Sequence, residues 1–76
     1  MTNAITILAL WDDEAHVWSL ASPEVPGLHI EADRYEAIEW KALMAIEDLA
    51  EFEPEVAALI GRPIVIQTDW PHADRP

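Results

Sequence analysis

Two hydrophobic periods alternate along the chain, and each change of period marks an element. Residues 4–11, AITILALW, are an almost unbroken apolar run rich in β-branched and aromatic side chains. They predict a strand that stops at Asp12, Asp13 and Glu14, residue types that strands disfavour. Residues 16–21 begin with His16, Val17 and Trp18 and end at Ser22 and Pro23, which reads as a second strand returning antiparallel through a hairpin turn. Pro26 and Gly27 then punctuate the chain. In residues 28–32, Leu28, Ile30 and Ala32 share one face and His29 and Glu31 the other, the alternation of a half-buried third strand.

From Asp33 onward the period becomes helical. Asp33 with Glu36 three residues later has the spacing of a capping box. At about 100° per residue, Tyr35, Ile38, Ala42, Ala45, Ile46, Leu49 and Ala50 fall on one arc, with Leu43 at its margin. Pro54 interrupts the pattern, residues 55–60 fit one more short helical turn, and Gly61 and Pro63 stop it. Residues 64–68 read as a last strand with Ile64 and Ile66 on its core side. The predicted order is β-β-β-α-β, an α+β fold. A three-strand meander joined by a right-handed helical crossover lays the fourth strand parallel beside the first, giving a mixed four-stranded sheet of order 3-2-1-4 with one main helix on one face. Residues 1–70 form the single expected domain and residues 71–76 a flexible tail.

Two sets of apolar residues do not fit one core. Trp40 and Met44 leave the helix about 150° from the centre of the apolar arc, on the side that carries Glu36, Glu47 and Glu51. On the first strand, Ile5, Ile7 and Ala9 point one way while Leu8 and Leu10 point the other, and one helix covers one face only. Two outcomes are open: residues 52–60 fold back over Trp40 and the central strand is simply apolar throughout, or these residues form an association surface. Of the four tryptophans, Trp11, Trp18, Trp40 and Trp70, core filling suits Trp18 best and Trp40 least.

Composition narrows the chemistry. In 76 residues there are fifteen Asp and Glu against four cations, Arg34, Lys41, Arg62 and Arg75, for a net charge of −11. Unscreened carboxylates repel phosphates, so direct nucleic-acid binding is disfavoured and a basic protein is the complementary partner. With 51% hydrophobic residues the chain is too apolar for a disordered acidic tail. Absence of cysteine excludes disulfides, thiolate metal sites and a Cys nucleophile, and suits a cytoplasmic protein. Residues 1–16 lack the basic start of an export signal, and no run is long enough for a membrane span. Ser19 and Ser22 lie in no nucleophile elbow, His16, His29 and His72 lack metal-ligand spacing, and two glycines, Gly27 and Gly61, write no phosphate loop. The expectation is no enzyme, no metal and no cofactor. One rival is kept: Asp12 and Asp69 leave the sheet at the same end, near Asp13 and Glu14, where clustered carboxylates can hold catalytic magnesium for a nuclease.

The stretch EAHVWSLASPEVPGLHIEADRYEAIEWKALMAIEDL, residues 14–49, resembles the HicB family of antitoxin domains. The carriers are the Val17-Trp18 strand, the Ser22 to Leu28 turn, the Glu31 to Asp33 cap and the alanine-containing helix that ends at Leu49. The resemblance implies a partial ribonuclease-H-like sheet without nuclease activity, and a small basic mRNA-cleaving toxin of the HicA type as partner, blocked by occlusion. The DNA-reading segment that follows the sheet in such antitoxins has no counterpart in residues 70–76, so the shape is closer to the stand-alone branch. Trp40, Met44, Glu47 and Glu51 are the candidate partner-binding residues. The alternative is a homo-oligomer, dimer or tetramer, that buries the second face of the first strand or an open sheet edge.

Overall fold

The computed structural model describes residues 3–69, the side chain of Asp69 excepted; Trp70 and the expected tail at 71–76 lie outside this range. The elements follow in the order β1 (Ile5–Asp12), β2 (Val17–Ala21), β3 (Ile30–Ala32), a 3-10 turn (Tyr35–Ala37), α1 (Ile38–Ala50), a short α2 (Pro54–Ala57) and β4 (Ile64–Asp69). The sheet order is β3-β2-β1-β4, with β1 antiparallel to β2, β2 antiparallel to β3 and β4 parallel to β1. This is the α+β architecture that the pattern of periods predicts.

Register explains the core. Ile5, Ile7 and Ala9 stand opposite Ile64, Ile66 and Thr68 on β4, and Ala9 stands opposite Leu20 on β2, so these side chains share one face. Ile38, Ala42 and Ile46, one helical turn apart, are fully buried over that face. Trp18, 1% exposed, is the largest enclosed side chain. It meets Trp11 edge-on at 5.3 Å and Tyr35 edge-on at 5.6 Å, so three rings tie β1, β2 and the start of the helical segment together. Val56 of α2 is buried and closes the open end of the core.

The loops account for the differences from the predicted boundaries. In the β1–β2 hairpin, Asp12 Oδ1 accepts the N–H groups of Glu14 and Ala15, and the Asp12 carbonyl accepts the His16 N–H at 2.8 Å. Closing the loop this way turns His16 left-handed, with φ 58°, so His16 ends the turn instead of opening β2. The third strand begins at Ile30, not Leu28, because residues 25–28 form a turn: the Leu28 N–H donates to the Val25 carbonyl, with Pro26 second and Gly27 third at φ 87°. That is type II chemistry, and a side chain at position 27 would be strained there although it would meet no atom within 4 Å. Leu28 is nevertheless buried, as its alternation with Ala32 predicts. The capping box does not form. Arg34 is the extended N-cap, without a side-chain cap bond, and the first turn is 3-10, closed by Ala37 N–H on the Arg34 carbonyl. Asp33 stands one residue too early to cap it.

Glu24 supplies a constraint that periodicity does not reveal. β2 ends at Ala21, which leaves the Thr6 N–H of β1 beyond its reach, and Glu24 Oε1 accepts that N–H at 2.9 Å. Ser22, the buried polar residue of the turn, donates to the same oxygen and accepts the Glu24 N–H. The Ser-Pro-Glu turn therefore completes the β1 ladder.

Two substitutions test these contacts in urea unfolding. Trp18→Ala should cost about 3–5 kcal/mol, a large part of the stability of so small a domain. Glu24→Ala should cost about 1–2 kcal/mol by stranding the Thr6 donor, and Glu24→Gln, which keeps an acceptor oxygen, should restore most of it.

Candidate functional site

The apolar arc of α1 sets what lies behind it. Residues two positions after Ile38 and Ala42 are rotated by about 200° from the buried line, and those positions hold Trp40 and Met44. Trp40 is 52% exposed and Met44 53%. Leu43, at the margin of the arc, is also exposed and joins them. Of the two outcomes left open by the sequence, the first does not occur at this site. Residues 52–60 fold back through α2, but they bury Val56 against the core end and leave both Trp40 and Phe52 in solvent.

Trp40 and Met44 share an open groove of about 370 Å³ with Ile30, Glu31, Lys41, Ala45 and Asp48. The groove runs between the helix and the edge strand β3. Lys41 crosses it, its Nζ donating to the Glu31 carbonyl at 3.4 Å. That bond holds the lysine against the strand, so the groove keeps an apolar floor with Asp48 on its rim. Glu47 and Glu51 are exposed and do not line the groove; they lie farther along the same helical stripe as Trp40. The four candidate residues thus form one line, with Trp40 and Met44 at the groove and Glu47 and Glu51 beyond it. The sequence alone does not single out Lys41 and Glu31, since their contact joins an edge-strand carbonyl to a residue ten positions on, which no periodicity encodes.

The electrostatics of α1 are one-sided. Its last turn has no basic residue, whereas Glu47, Asp48 and Glu51 crowd the end where the helix dipole already places partial negative charge, and Glu53 and Glu55 follow. Local stability favours cations here. These carboxylates reinforce the dipole field at the C-terminal end of the helix; Met44 lies one turn before Asp48, while Trp40 stands in the first turn, about 10 Å along the axis from Glu47.

A second cleft, of about 290 Å³, is lined by Trp11, Trp18, Asp33, Arg34, Tyr35 and Glu36. Its rings are engaged edge-on with one another, so it belongs to the packing of the 3-10 turn on the sheet. Tyr35, on the predicted core arc, is 38% exposed here because the 3-10 turn rotates it toward the cleft mouth. At the hairpin, Asp12 commits its Oδ1 to two backbone N–H groups, and among the described residues no three of His, Asp and Glu gather as a cation site would require. Among them, too, no helix is long and apolar enough to cross a membrane.

Trp40→Ala combined with Met44→Ala should change unfolding free energy by no more than about 0.5 kcal/mol for each residue, in contrast to Trp18→Ala. Collisional quenching of tryptophan fluorescence by acrylamide should fall in Trp40→Phe, since the indole removed is half in solvent.

Comparison with known proteins places these features in a family. A family model described as a domain of unknown function, DUF1902, matches residues 4–69. Among solved structures, the crystal structure of hypothetical protein TTHA1013 from the extremely thermophilic bacterium Thermus thermophilus is 32% identical, over 96% of this chain and 94% of that one, with a TM-score of 0.46. No curated protein matches.

Proposed function

The chain belongs to the DUF1902 family, and we propose that it serves as a non-enzymatic protein-binding module of the HicB-like antitoxin type. Its partner on this reading is a small basic mRNA-cleaving toxin resembling HicA, neutralised by occlusion. The observation that carries the proposal is the α1 stripe, in which a half-exposed Trp40 in the first turn and a half-exposed Met44 one turn on lead along the helix to Glu47, Asp48 and Glu51 at an unopposed C-terminus. Aromatic and thioether side chains in solvent supply anchors for an interface core. The carboxylates around them select a basic partner and speed its approach.

The residue resemblance to HicB over positions 14–49 and the β-β-β-α-β order support the same reading. In mechanism, the toxin's cationic RNA-binding surface would be drawn to the acidic end of α1 and held by Trp40 in a desolvated contact, which denies that surface to RNA. No chemistry by this chain is needed.

The test is a binding titration against a basic protein encoded in the adjacent reading frame, with that protein's RNA cleavage as a second readout. Trp40→Ala with Glu47→Lys should weaken binding by about a hundredfold, or about 2.7 kcal/mol, and release the cleavage. Affinity should also fall as salt rises. Glu51→Lys separates stability from function: it should raise unfolding free energy by about 0.3–1 kcal/mol, through the dipole and an i, i+4 pair with Glu47, while weakening the complex. Unchanged binding in the double variant would remove the α1 stripe as the contact surface.

A further inference from the structure

The other face of the sheet differs from the helix stripe in its chemistry. On β1, β2 and β4 the side chains opposite the core belong to Leu8, Leu10 and Val65, framed by Thr6, Ser19 and Gln67. Leu10 is 50% exposed and Val65 47%. Leu8 and Leu10 lie two residues apart on this face of β1, and register sets Val65, beside Thr6, diagonal to Leu8, with Ala21 and Gln67 directly beside Leu8, so the three apolar side chains adjoin. In a chain in which a quarter of the residues are charged, no described ionisable side chain stands between Leu8, Leu10 and Val65. Those nearest lie on the border: Asp12 at the hairpin end, Glu24 at the opposite end, and Glu31 across from Ser19 on edge strand β3.

We infer that this rear face packs against the rear face of a second copy of the chain. Charge decides the occupant. The carboxylates that would draw a basic protein are gathered on the helical side, so the centre of the rear face offers such a partner no electrostatic complement. A chain of charge −11 is likewise repelled by an anionic lipid surface. A patch with an uncharged centre is by contrast complementary to itself under a two-fold axis, and two strongly acidic copies can meet on it with their described carboxylates at its border. Sheets pack face to face about 10 Å apart with strands inclined by about 30°, and the Leu8, Leu10 and Val65 side chains are those that would fill the space between.

Area sets the strength. Three strands about 4.8 Å apart and about six residues long cover roughly 290 Å² of sheet. Two copies would bury on the order of 600 Å² together, below the about 1,000 Å² that marks stable specific association. The dimer is therefore weak and concentration-dependent, and it is opposed by the repulsion of two acidic chains, which salt screens.

Sedimentation equilibrium of the intact chain, from low micromolar to millimolar concentration and at low and high salt, should show reversible conversion from 8.6 kDa to twice that mass, tightening as salt rises. Leu10→Glu with Val65→Glu, at positions already half in solvent, should keep the circular dichroism of the native chain and raise the dissociation constant by about tenfold or more. Trp40→Ala with Met44→Ala should leave it unchanged. Because the chain lacks cysteine, Leu8→Cys gives a second readout that does not depend on charged variants folding: it should form disulfide-linked pairs under mild oxidation faster than Leu43→Cys on the helical side. A monomer throughout, a dimer that survives Leu10→Glu with Val65→Glu, a dimer lost through Trp40 instead, or equal cross-linking at the two cysteines overturns the inference. Survival of the dimer in the charged variant would move the contact to the open edge of β4. None of these outcomes bears on whether α1 binds a basic protein.

Discussion

A sheet of four strands is roughly 15 Å across from first to last strand, and one helix with its side chains is roughly 10 Å thick. Among the described residues α1 is the one long helix, and it lies over one face of this sheet, so the other face is left to solvent. Most other features of the molecule follow from that mismatch. The covered face takes Ile5, Ile7, Ala9, Trp18 and Leu20, closes over Ile38, Ala42 and Ile46, and is sealed at its end by Val56. The uncovered face keeps Leu8, Leu10 and Val65. Because β1 is central, paired with β2 on one side and β4 on the other, its residues of both faces sit in the middle of the molecule, where none of the described loops reaches around to hide them.

The charge distribution is the second consequence of size. A domain of this length hides only about 60% of the surface of its unfolded chain, so nearly every ionisable group lies outside and its placement is free to serve solubility or recognition. Here the acids are not spread evenly. Glu36, Glu39, Glu47, Asp48 and Glu51 stand on the helical segment, with Glu53 and Glu55 just after it, while among the described side chains on the rear of β1, β2 and β4 the acid is Asp12, at a strand end. At the C-terminal end of α1 this works against the dipole, a local cost without a local compensation, since no Lys or Arg stands in the last turn. Solubility alone would be served as well by carboxylates at the helix N-terminus, where they also stabilise. On the proposed reading, their place on the same helical stripe as exposed Trp40 and Met44 is what would separate a recognition surface from an acidic coat.

Legibility of the fold in the sequence follows the range of the interactions involved. Period carries the elements, because Ile38, Ala42 and Ile46 at helical spacing and Ile5, Ile7 and Ala9 at strand spacing are local statements about one buried face. The handedness of a crossover connection then places β4 beside β1. The same reasoning exposes Trp40 and Met44, since a residue off the arc has no core to enter. What period cannot show are interactions made by loops. His16 reads as strand because its neighbours Val17 and Trp18 are strand-like, whereas three hydrogen bonds to Asp12 set the turn that captures it. Asp33 and Glu36 have capping-box spacing, yet a 3-10 first turn shifts the cap to Arg34. The role of Glu24 depends on β2 ending one pair short of Thr6, and that of Lys41 on the height of β3 against α1; both are set by register across strands distant in sequence.

The two surfaces face away from each other across the thickness of the sheet, and this geometry governs how they combine. A pair of copies joined through Leu8, Leu10 and Val65 would turn both α1 stripes outward, each with its groove at Trp40 open. Occupation of one face then neither blocks nor requires occupation of the other, and a two-fold pair would present two acidic, aromatic-anchored faces from one compact unit. Their energetics are linked nonetheless. A basic protein seated on α1 would neutralise part of the charge that drives two copies apart, so its binding would favour the pair, and by thermodynamic reciprocity the pair would bind it more tightly. The coupling is carried by electrostatic repulsion alone, with no change of shape, and added salt would erase it.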